Sequence, residues 1–366
     1  MKRLPSLIRT ILRNQKRMPD YPRLLTYTVT FRCNSRCIMC DSWKKTPQQE
    51  LTPQEVSTIF NQLPQMDLVR LTGGEPFLRH DLIDIAHAVQ GQLNPLCLHI
   101  TTNGFLTDKI IRFCEERKKD NHLYLLISLD GLAEQHDAIR RQRNAWKHTI
   151  GTIKALVKRQ KQLRMKLSVN QTIVSDEGLE NYLQLRDYLK PLGIQNHIVI
   201  GYKKSAIYNP DENIRLKPKK AQQFNAFGKF EDVKLKRLFD VVQEDIRCHP
   251  PITRFAKRYY LDGIRNRLLH QIAHPNPKCV ALSSHLRLLP DGSLPTCQFN
   301  TTVVGNMRHQ TFDDIWHGKP IKRQRHWVNH CQGCWAECEI LPNALYSGDI
   351  TGFIKKNNGH KNPIWL

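Results

Sequence analysis

The chain has 366 residues, of which 40% are hydrophobic, so it is long enough for more than one domain and apolar enough to exclude wholesale disorder. Its 56 Lys and Arg residues outnumber its 33 Asp and Glu residues. The resulting net charge of +23 suits an anionic partner such as nucleic acid, a membrane surface or a phosphorylated substrate. No apolar run approaches the length of a transmembrane helix, and arginines interrupt the amino-terminal segment too often for a secretory signal.

Residues 1–24 are predicted to form a basic amphipathic arm. One face of its helix has apolar residues at the spacing of successive turns, namely Leu4, Leu7, Ile8, Ile11 and Leu12. Most of the remaining face is basic, with Lys2, Arg3, Arg9, Arg13, Lys16 and Arg17. A helix of this kind either packs on the rest of the fold or lies on an anionic membrane. The sequence therefore leaves both outcomes open, including peripheral membrane contact through residues 1–17.

Six β-branched runs alternate with helical patterns between residues 25 and 202. Strands are expected at 25–30, 68–72, 98–102, 123–129, 166–174 and 194–201. Helices are expected between them at 52–63, 82–90, 107–119, 146–160 and 179–189. Six such units fall short of a closed eight-stranded barrel, so they predict an α/β fold with a partial (β/α)6 TIM-like barrel. Ligands of such folds gather at the carboxyl ends of the strands.

The pattern changes after residue 202. Residues 203–272 are expected to form a basic helical segment interrupted by prolines, followed by a cysteine-rich domain at 273–340 and a tail at 341–366. Within the cysteine-rich domain, Pro290-Asp291-Gly292 is a turn signal between short β-like pieces.

Cysteine usage indicates metal binding in a reducing compartment. The chain has 11 cysteines and no secretory signal, which argues against a disulfide framework and for the cytoplasm. Eight of them form two sets: a first set of Cys33, Cys37 and Cys40, and a second set of Cys279, Cys297, Cys331, Cys334 and Cys338. The scattered cysteines are expected to be small buried hydrophobes, namely Cys97, Cys114 and Cys248.

The first set reads Cys33-Asn-Ser-Arg-Cys37-Ile-Met-Cys40 and follows the first strand. Three thiolates within eight residues can bind three irons of a [4Fe–4S] cluster and leave the fourth iron open for a cofactor. A structural zinc site normally closes its coordination with a fourth ligand. Zinc binding, or a fourth cysteine supplied from elsewhere, is the alternative.

This C-x3-C-x2-C loop after strand one resembles the radical S-adenosylmethionine (SAM) superfamily. The resemblance continues in order along the chain at Thr72-Gly73-Gly74-Glu75-Pro76, Thr102-Asn103-Gly104 and Ser128-Leu129-Asp130-Gly131. The family often has an aromatic residue before the third cysteine, where this chain has the apolar Met39. The resemblance implies that the first set binds a [4Fe–4S] cluster and that the cluster binds SAM.

The resemblance also suggests which residues contact SAM. The amino group of SAM is expected to bind the segment Gly73, Gly74 and Glu75. The carboxylate is assigned to Ser128 and Arg140, with Arg141 and Arg143 as nearby rivals. The ribose is assigned to Asn170, although a polar residue in a barrel wall can also be purely structural.

The second set resembles the SPASM or shorter "twitch" extension, which holds auxiliary [4Fe–4S] clusters. Cys279, Gly292 and Cys297 match its opening, and Cys331-Gln-Gly-Cys334-Trp-Ala-Glu-Cys338 follows at the expected distance. Five thiols are too few for two complete clusters. One auxiliary cluster is therefore expected on Cys279, Cys297, Cys331 and Cys334, with Cys338 as a fifth candidate. A zinc ribbon is the alternative, because Cys-x2-Cys is also a common zinc half-site.

These motifs together predict a radical SAM enzyme of the oxidoreductase or maturase type. Such enzymes reductively cleave SAM to a 5′-deoxyadenosyl radical, which abstracts hydrogen from a substrate. The substrate is unidentified and could be a peptide or protein, a small sugar-like molecule or a lipid-linked molecule. An electron donor such as flavodoxin or ferredoxin is the implied partner, and no general acid or base can be named.

Two other function classes compete with the enzyme. The basic charge suits an RNA-binding or RNA-modifying protein, although no RNA-binding module or aromatic platform is visible. A non-catalytic zinc-binding interaction protein is the other possibility, and it would contain zinc without iron.

Overall fold

The computed structural model describes residues 3–351, except 47–48, 204, 206 and 210–219. The strands of this described part are β1 (Leu24–Thr30), β2 (Leu68–Gly73), β3 (Cys97–Thr102), β4 (His122–Ser128), β5 (Met165–Ile173), β6 (Gln195–Ile200), β7 (His285–Leu288), β8 (Ser293–Cys297) and β9 (Asn300–Asn306). Its α-helices are α1 (Arg3–Gln15), α2 (Pro53–Asn61), α3 (Leu82–Ala88), α4 (Thr107–Glu116), α5 (Ala133–Arg140), α6 (Ala145–Val157), α7 (Gly178–Leu189), α8 (Asp232–Ile246), α9 (Pro251–Leu269), α10 (Phe312–His317), α11 (Lys319–Asn329) and α12 (Glu337–Ser347). A π-helical turn, Val89–Leu93, continues α3, and 3-10 turns lie at Ser42–Lys44, Pro76–Leu78 and Lys190–Leu192.

The fold is α/β, with a parallel seven-stranded sheet in the order β6-β5-β4-β3-β2-β1-β7. The expected partial barrel is confirmed, and all six predicted strands occur where the sequence placed them. The seventh strand, β7, comes from the cysteine-rich region and pairs with β1 from Leu24↔His285 to Tyr27↔Leu288. It is only four residues long and wholly buried, so periodicity could not assign it to this sheet. Strands β8 and β9 form a separate antiparallel pair.

The two faces of the sheet differ in chemistry. Residues such as Tyr27, Val69 and Ile100 face the helices and belong to the main hydrophobic core. The alternate residues face the interior, and three of them, Thr72, Thr101 and Ser128, line a cavity there. The alternation follows from the two-residue period of a strand. The polar interior therefore lies at the carboxyl ends of the strands.

Helix α2 begins as the sequence predicts. Thr52 caps it, Pro53 is its first residue, and Glu55 completes a reciprocal capping box with Thr52. Helix α5 was not predicted, because its eight residues directly follow the Ser128-Leu-Asp-Gly motif and offer little apolar periodicity. This helix ends at Arg140 and therefore positions that side chain.

The segment at 203–272 contains the two helices α8 and α9, which form a second hydrophobic cluster with α12. Gly263 on α9 is required there, because a Cβ atom would lie 1.8 Å from the buried ring of Trp335. The expected turn is present between β7 and β8, where Gly292 has a φ of +90° and donates to the carbonyl of Leu289. The domain boundaries at residues 24, 202, 272 and 340 stay a prediction.

The amino-terminal helix packs on α12 through a face that contains only part of the predicted apolar stripe. Leu7 and Ile11 are half-buried, and Leu7 packs against a buried cluster that includes Tyr346 of α12. Thr10 and Asn14 are buried, and the Asn14 amide donates to the carbonyl of Tyr346 at 2.9 Å. Leu4, Ile8 and Leu12 instead face outward, with exposures of 63%, 51% and 53%. None of the helices in the described ranges is both long and apolar enough to cross a membrane.

The three scattered cysteines differ in exposure. Cys114 is buried as expected and Cys97 is half-buried, but Cys248 is exposed. The expectation of a buried thiol is wrong for Cys248, because it follows the last turn of α8 instead of lying on the buried face of that helix.

Candidate functional site

A cavity of about 290 Å³ opens at the carboxyl ends of the barrel strands. All three thiols of the first set line it, together with residues that follow or end five different strands. Of the residues that the sequence proposed for SAM, five line this cavity: Gly73, Gly74, Ser128, Arg140 and Asn170. Parallel strands bring their carboxyl ends to one edge, which explains why positions so distant in sequence meet here.

The two glycines after β2 let this segment approach the start of the cysteine loop. The amide of Gly74 donates to the carbonyl of Thr30 at 2.9 Å, and the amide of Glu75 donates to the carbonyl of Arg32 at 2.9 Å. A Cβ atom on Gly74 would lie 2.2 Å from the carbonyl oxygen of Arg32. Any side chain at this position would therefore push the cysteine loop away from the sheet.

The first-set thiols lie in surroundings that oppose their ionisation. Burial raises the pKa of Cys33 to about 12 and that of Cys40 to about 11. The Ser35 hydroxyl lies 3.1 Å from the sulfur of Cys37, and the Arg140 guanidinium donates to the same sulfur at 3.5 Å. Buried thiolates require a cationic partner, and iron is such a partner, so this donor set fits an iron–sulfur cluster.

Arg140 is the arginine that reaches the cavity, while its rivals Arg141 and Arg143 are exposed. Its Nε atom lies 2.7 Å from Oδ2 of the buried Asp130. Burial alone would lower the pKa of Arg140, but the charges of Asp130 and Cys37 outweigh burial and leave this pKa above its ordinary value. The guanidinium therefore stays charged beside the thiols.

Glu75 is not among the residues that line the cavity. Its buried carboxylate accepts hydrogen bonds from the amide of Asn103 at 2.7 Å, the hydroxyl of Thr102 at 2.7 Å and the amide of Phe77 at 3.2 Å. Burial nevertheless raises the pKa of Glu75 to about 7. Glu75 thus ties the loop after β2 to the loop after β3.

Several lining residues were not identified from the sequence. Ser128 and Asn170 were identified from the sequence, and they lie directly opposite each other on β4 and β5. Among the residues described after β6, five more line the wall, namely Gly201, Tyr202, Lys203, Ser205 and Tyr208. Their position after a strand was the available signal, but the basic composition of this segment gave no motif to distinguish them.

The second set of thiols comes together from three places in the chain. Cys279 lies in the loop before β7, Cys297 ends β8, and Cys331 and Cys334 follow α11. Burial raises the pKa of Cys279 and Cys334 well above the ordinary range and that of Cys297 to about 12. The Cys297 charge adds to the effect on both Cys279 and Cys334. The Cys331 charge adds to the effect on Cys279 and Cys297, so these four thiols are electrostatic neighbours.

Cys338 differs from the other four thiols in lying on α12 among charged side chains. Burial raises its pKa to about 11, and the charges that act on it most strongly are those of Glu339, Arg287, Arg70 and Glu337. Its sulfur lies 4.0 Å from the Arg287 guanidinium. In the described part of the chain, no three His, Cys, Asp or Glu side chains converge on a point where they could hold one metal ion.

A buried ion network lies beside the second set, and no motif in the sequence indicated it. Glu339 pairs with the Arg287 guanidinium and with the His285 ring, whose Nδ1 atom lies 3.1 Å from Oε2 of Glu339. Burial would raise the pKa of Glu339, but these two partners hold it well below the ordinary range. The network ties α12 to β7 and therefore fixes the second set against the barrel.

Two protein families match the chain. Residues 27–189 match the "Radical SAM superfamily", and residues 279–335 match the SPASM family, described as an "Iron-sulfur cluster-binding domain". The first match runs from within β1 to the end of α7 and includes the first set of thiols, but it ends before β6. The second covers Cys279, Cys297, Cys331 and Cys334 and ends before Cys338.

Known proteins resemble this chain over most of its length. An "AdoMet-dependent heme synthase" of Methanosarcina barkeri is 25% identical over 88% of this chain and 90% of its own. A "GTP 3′,8-cyclase" of Lactiplantibacillus plantarum is 25% identical over 77% of this chain and 80% of its own. The structure of Streptococcus suis SuiB bound to S-adenosylmethionine has a TM-score of 0.59 at 16% identity, covering 86% of this chain and 70% of that one. That of anSMEcpe with bound AdoMet has a TM-score of 0.55 at 15% identity, covering 91% and 97%.

Proposed function

We propose that SAM is cleaved in the cavity at the strand ends, because the chain is a radical SAM enzyme with a carboxy-terminal SPASM domain. The cofactors of this enzyme are a SAM-binding [4Fe–4S] cluster and an auxiliary iron–sulfur centre. The observation that supports this most directly is one cavity lined by all three first-set thiols and by Ser128 and Arg140. When bound, the cluster supplies the electron that splits SAM into methionine and a 5′-deoxyadenosyl radical, which abstracts hydrogen from a substrate.

In this proposal Cys33, Cys37 and Cys40 bind three irons. Arg140 has two tasks: its guanidinium bonds the Cys37 sulfur, and its positive charge attracts the SAM carboxylate. The Ser128 hydroxyl is a second donor for that carboxylate, and the Asn170 amide on the adjacent strand bonds the ribose. Ser128 and Arg140 are buried away from bulk water, which strengthens their interactions.

Glu75 and the two glycines shape the loop after β2. The Glu75 carboxylate is already held by three donors, so we assign it a positioning role beside its attraction for the SAM ammonium. Gly73 and Gly74 line the cavity and leave backbone groups open to the amino group. The protein thus orients the cofactor and excludes water, while the cofactor performs the difficult chemistry.

The substrate is proposed to enter beside the segment after β6. The cavity lining there includes Tyr202, Lys203, Ser205 and Tyr208, which offer hydroxyl and ammonium groups to a polar substrate. Peptides, small sugar-like molecules and lipid-linked molecules all present such polar groups, so all three classes stay candidates. SuiB is named with a precursor peptide, and the two enzyme relatives are named for heme and GTP chemistry.

The second set is proposed to hold one auxiliary [4Fe–4S] cluster on Cys279, Cys297, Cys331 and Cys334. These four thiols are mutual electrostatic neighbours, whereas Cys338 faces Arg287 and Arg70. The cluster would accept an electron from the substrate radical, conduct one or bind the substrate. Cys338 is then a thiol between the auxiliary cluster and the barrel.

Metal analysis of anaerobically purified protein tests this function. Iron near eight atoms per chain with matching sulfide, and 5′-deoxyadenosine formed under dithionite, is the expected result. Replacing Cys33, Cys37 and Cys40 together with Ala should remove about half of that iron and all SAM cleavage. Cys248→Ala, at an exposed thiol outside both sets, is the matched control and should change neither. Zinc without iron, or SAM cleavage by the triple variant, would falsify the proposal.

We also propose that α1 makes peripheral contact with an anionic membrane. Its outward face combines the exposed side chains of Leu4, Ile8 and Leu12 with the exposed cations Arg9 and Lys16. Apolar residues can enter the headgroup region, while each nearby cation adds about 1 kcal/mol of attraction to an anionic leaflet. A lipid-linked substrate would then lie close to the enzyme.

A further inference from the structure

The second set of thiols reaches the surface at a small pocket beside Cys279. The pocket lies between the end of α1, the loop before β7 and the last turns of α11. Cys279 itself is half-buried and lines the pocket wall. Any protein seated here would approach the auxiliary centre through one cysteine, without passing through the barrel.

The charged residues that line this pocket all have the same sign. They are Arg17, Lys278 and Arg325, and no lining residue is acidic or aromatic. Each of the three donates to backbone carbonyls: Arg17 to Asn329, Lys278 to Gln15 at 2.5 Å and Arg325 to Leu282 at 2.8 Å. In the described part of the chain none of them forms an ion pair, so their positive charges are not neutralised by carboxylates.

Neighbouring elements extend the basic surface. Helix α11 contains four Lys or Arg residues and no acidic residue in the sequence KPIKRQRHWVN. Lys322 lies about one turn before Arg325 and is exposed, as is Lys16 at the end of α1. Arg325 also has a buried Nη2 atom without a hydrogen-bond partner in the described structure. We name this set the Cys279 surface: Lys16, Arg17, Lys278, Lys322 and Arg325.

We propose that the Cys279 surface docks an acidic one-electron carrier protein of the flavodoxin or ferredoxin class. The inference rests on the proposed auxiliary cluster. A docked carrier in its reduced form would lose one electron, and the centre behind Cys279 would gain it. In the reverse transfer, an oxidised carrier would accept from that centre an electron that the centre had taken from the substrate. Complementary charge steers such encounters and fixes their orientation. A nucleic acid fits less well, because no lining residue offers a stacking platform.

The test measures binding of oxidised flavodoxin to the reconstituted enzyme by FMN fluorescence anisotropy across a salt series. The double variant Arg17→Glu/Lys278→Glu should weaken binding at least tenfold and flatten its salt dependence. The matched control Lys154→Glu/Lys158→Glu makes the same charge change at exposed positions on and just after α6 and should change binding less than twofold. Lys322→Glu is a third variant, at an exposed residue outside the hydrogen bonds that Arg17 and Lys278 make. It should also weaken flavodoxin binding.

A second readout separates this proposal from the proposed function. SAM cleavage driven by dithionite does not use a carrier, so the double variant should retain it. Failure of dithionite-driven cleavage in the unchanged enzyme would count against the proposed function, while the anisotropy result would still report on docking. Three outcomes would overturn the docking proposal. The first is that flavodoxin does not bind, and the second is that both double variants weaken binding equally. The third is tight binding of single-stranded RNA that only the Arg17/Lys278 variant abolishes.

Discussion

The guanidinium of Arg140 and the carboxylate of Asp130 form a buried ion pair, with Nε 2.7 Å from Oδ2, and Arg140 lines the cavity at the strand ends. Asp130 is held from other directions as well, since its Oδ1 atom accepts from the amide of Thr172 at 2.9 Å. The pair thus joins α5, which supplies Arg140, to the loop after β4 and to β5. It also keeps a positive charge beside Cys37.

Removing Arg140 should therefore affect both stability and SAM binding. Arg140→Gln leaves the Asp130 carboxylate buried without its partner, and we expect a loss of about 3–5 kcal/mol in the free energy of unfolding. Arg140→Lys keeps the charge but loses the planar donor set, so it should be more stable than Arg140→Gln and still bind SAM more weakly than the unchanged enzyme. Urea unfolding and equilibrium dialysis of SAM measure the two effects. Arg141→Gln, at an exposed neighbour, is the control, and equal behaviour of the two Gln variants would contradict the assignment.

Gly74→Ala should displace the cysteine loop. Its Cβ atom would lie 2.2 Å from the Arg32 carbonyl, so the loop must move and the first cluster should assemble poorly, with a loss of stability of about 1–3 kcal/mol. Gly151→Ala is the matched control in the interior of α6, where an added Cβ meets nothing within 4 Å. It should leave iron content unchanged and stabilise the fold by about 0.5–1 kcal/mol. Full iron loading of Gly74→Ala would show that this close approach is not needed.

The ligands of the auxiliary centre can be separated by comparing two cysteines. Cys297→Ala should remove about half of the iron, leave the first cluster able to cleave SAM and stop product formation. Cys338→Ala should retain the full iron content, because the charges that act most strongly on Cys338 are those of side chains such as Glu339 and Arg287. Iron and sulfide analysis with Mössbauer spectroscopy measures the outcome. Loss of iron only in Cys338→Ala would place Cys338 in the ligand set and Cys297 outside it.

Stability should fall below neutral pH partly because of His136. Burial, and then the Arg140 charge, lowers the pKa of His136 to about 2, whereas an unfolded histidine titrates near 6.5. The unfolded chain therefore binds a proton that the folded chain does not, and stability declines as pH falls below 6.5, by about 1.4 kcal/mol per pH unit.

His136→Asn should reduce that decline, because an amide oxygen can replace the Nδ1 acceptor of the Asp130 amide without titrating. Urea unfolding at pH 7.5, 6.5 and 5.5 gives the slope. His148→Asn, at an exposed position on α6, is the control and should keep the slope of the unchanged protein. An unaltered slope in His136→Asn would mean that His136 is protonated in the folded state.

The outward stripe of α1 can be tested with vesicles. The triple variant Leu4→Ser/Ile8→Ser/Leu12→Ser should no longer co-sediment with anionic vesicles, yet its stability should change little, because all three side chains are already exposed. Val233→Ser and Ile272→Ser, at exposed positions elsewhere, are controls that should still bind. Binding should require anionic lipid and fade with salt. Sedimentation of the triple variant equal to that of the unchanged protein would remove α1 as the contact.

The sequence alone predicted the partial barrel and the first set of thiols, because both depend on local order along the chain. Six strands were visible from their β-branched runs and the alternating helices. Cys33, Cys37 and Cys40 lie within eight residues of one another and directly after β1, so no tertiary contact was needed to connect them. The order of the motifs after β2, β3 and β4 then placed their residues at one end of the sheet.

Only the tertiary structure decided the relationships between distant segments. The short strand β7 joins β1 through backbone pairing that its four residues cannot indicate, and the Arg287–Glu339 pair links β7 to α12 across 52 residues. Helix α5 ends at Arg140, which faces the cavity, whereas the next residue, Arg141, faces solvent. For α1, packing on the fold was one of the two outcomes that the sequence left open, but the buried positions Thr10 and Asn14 were not predicted. Their burial depends on polar partners supplied by residue 20 and by residues 284 and 346. Periodicity records the chemistry of a helix face, whereas the surface available to pack against it is set by the rest of the fold.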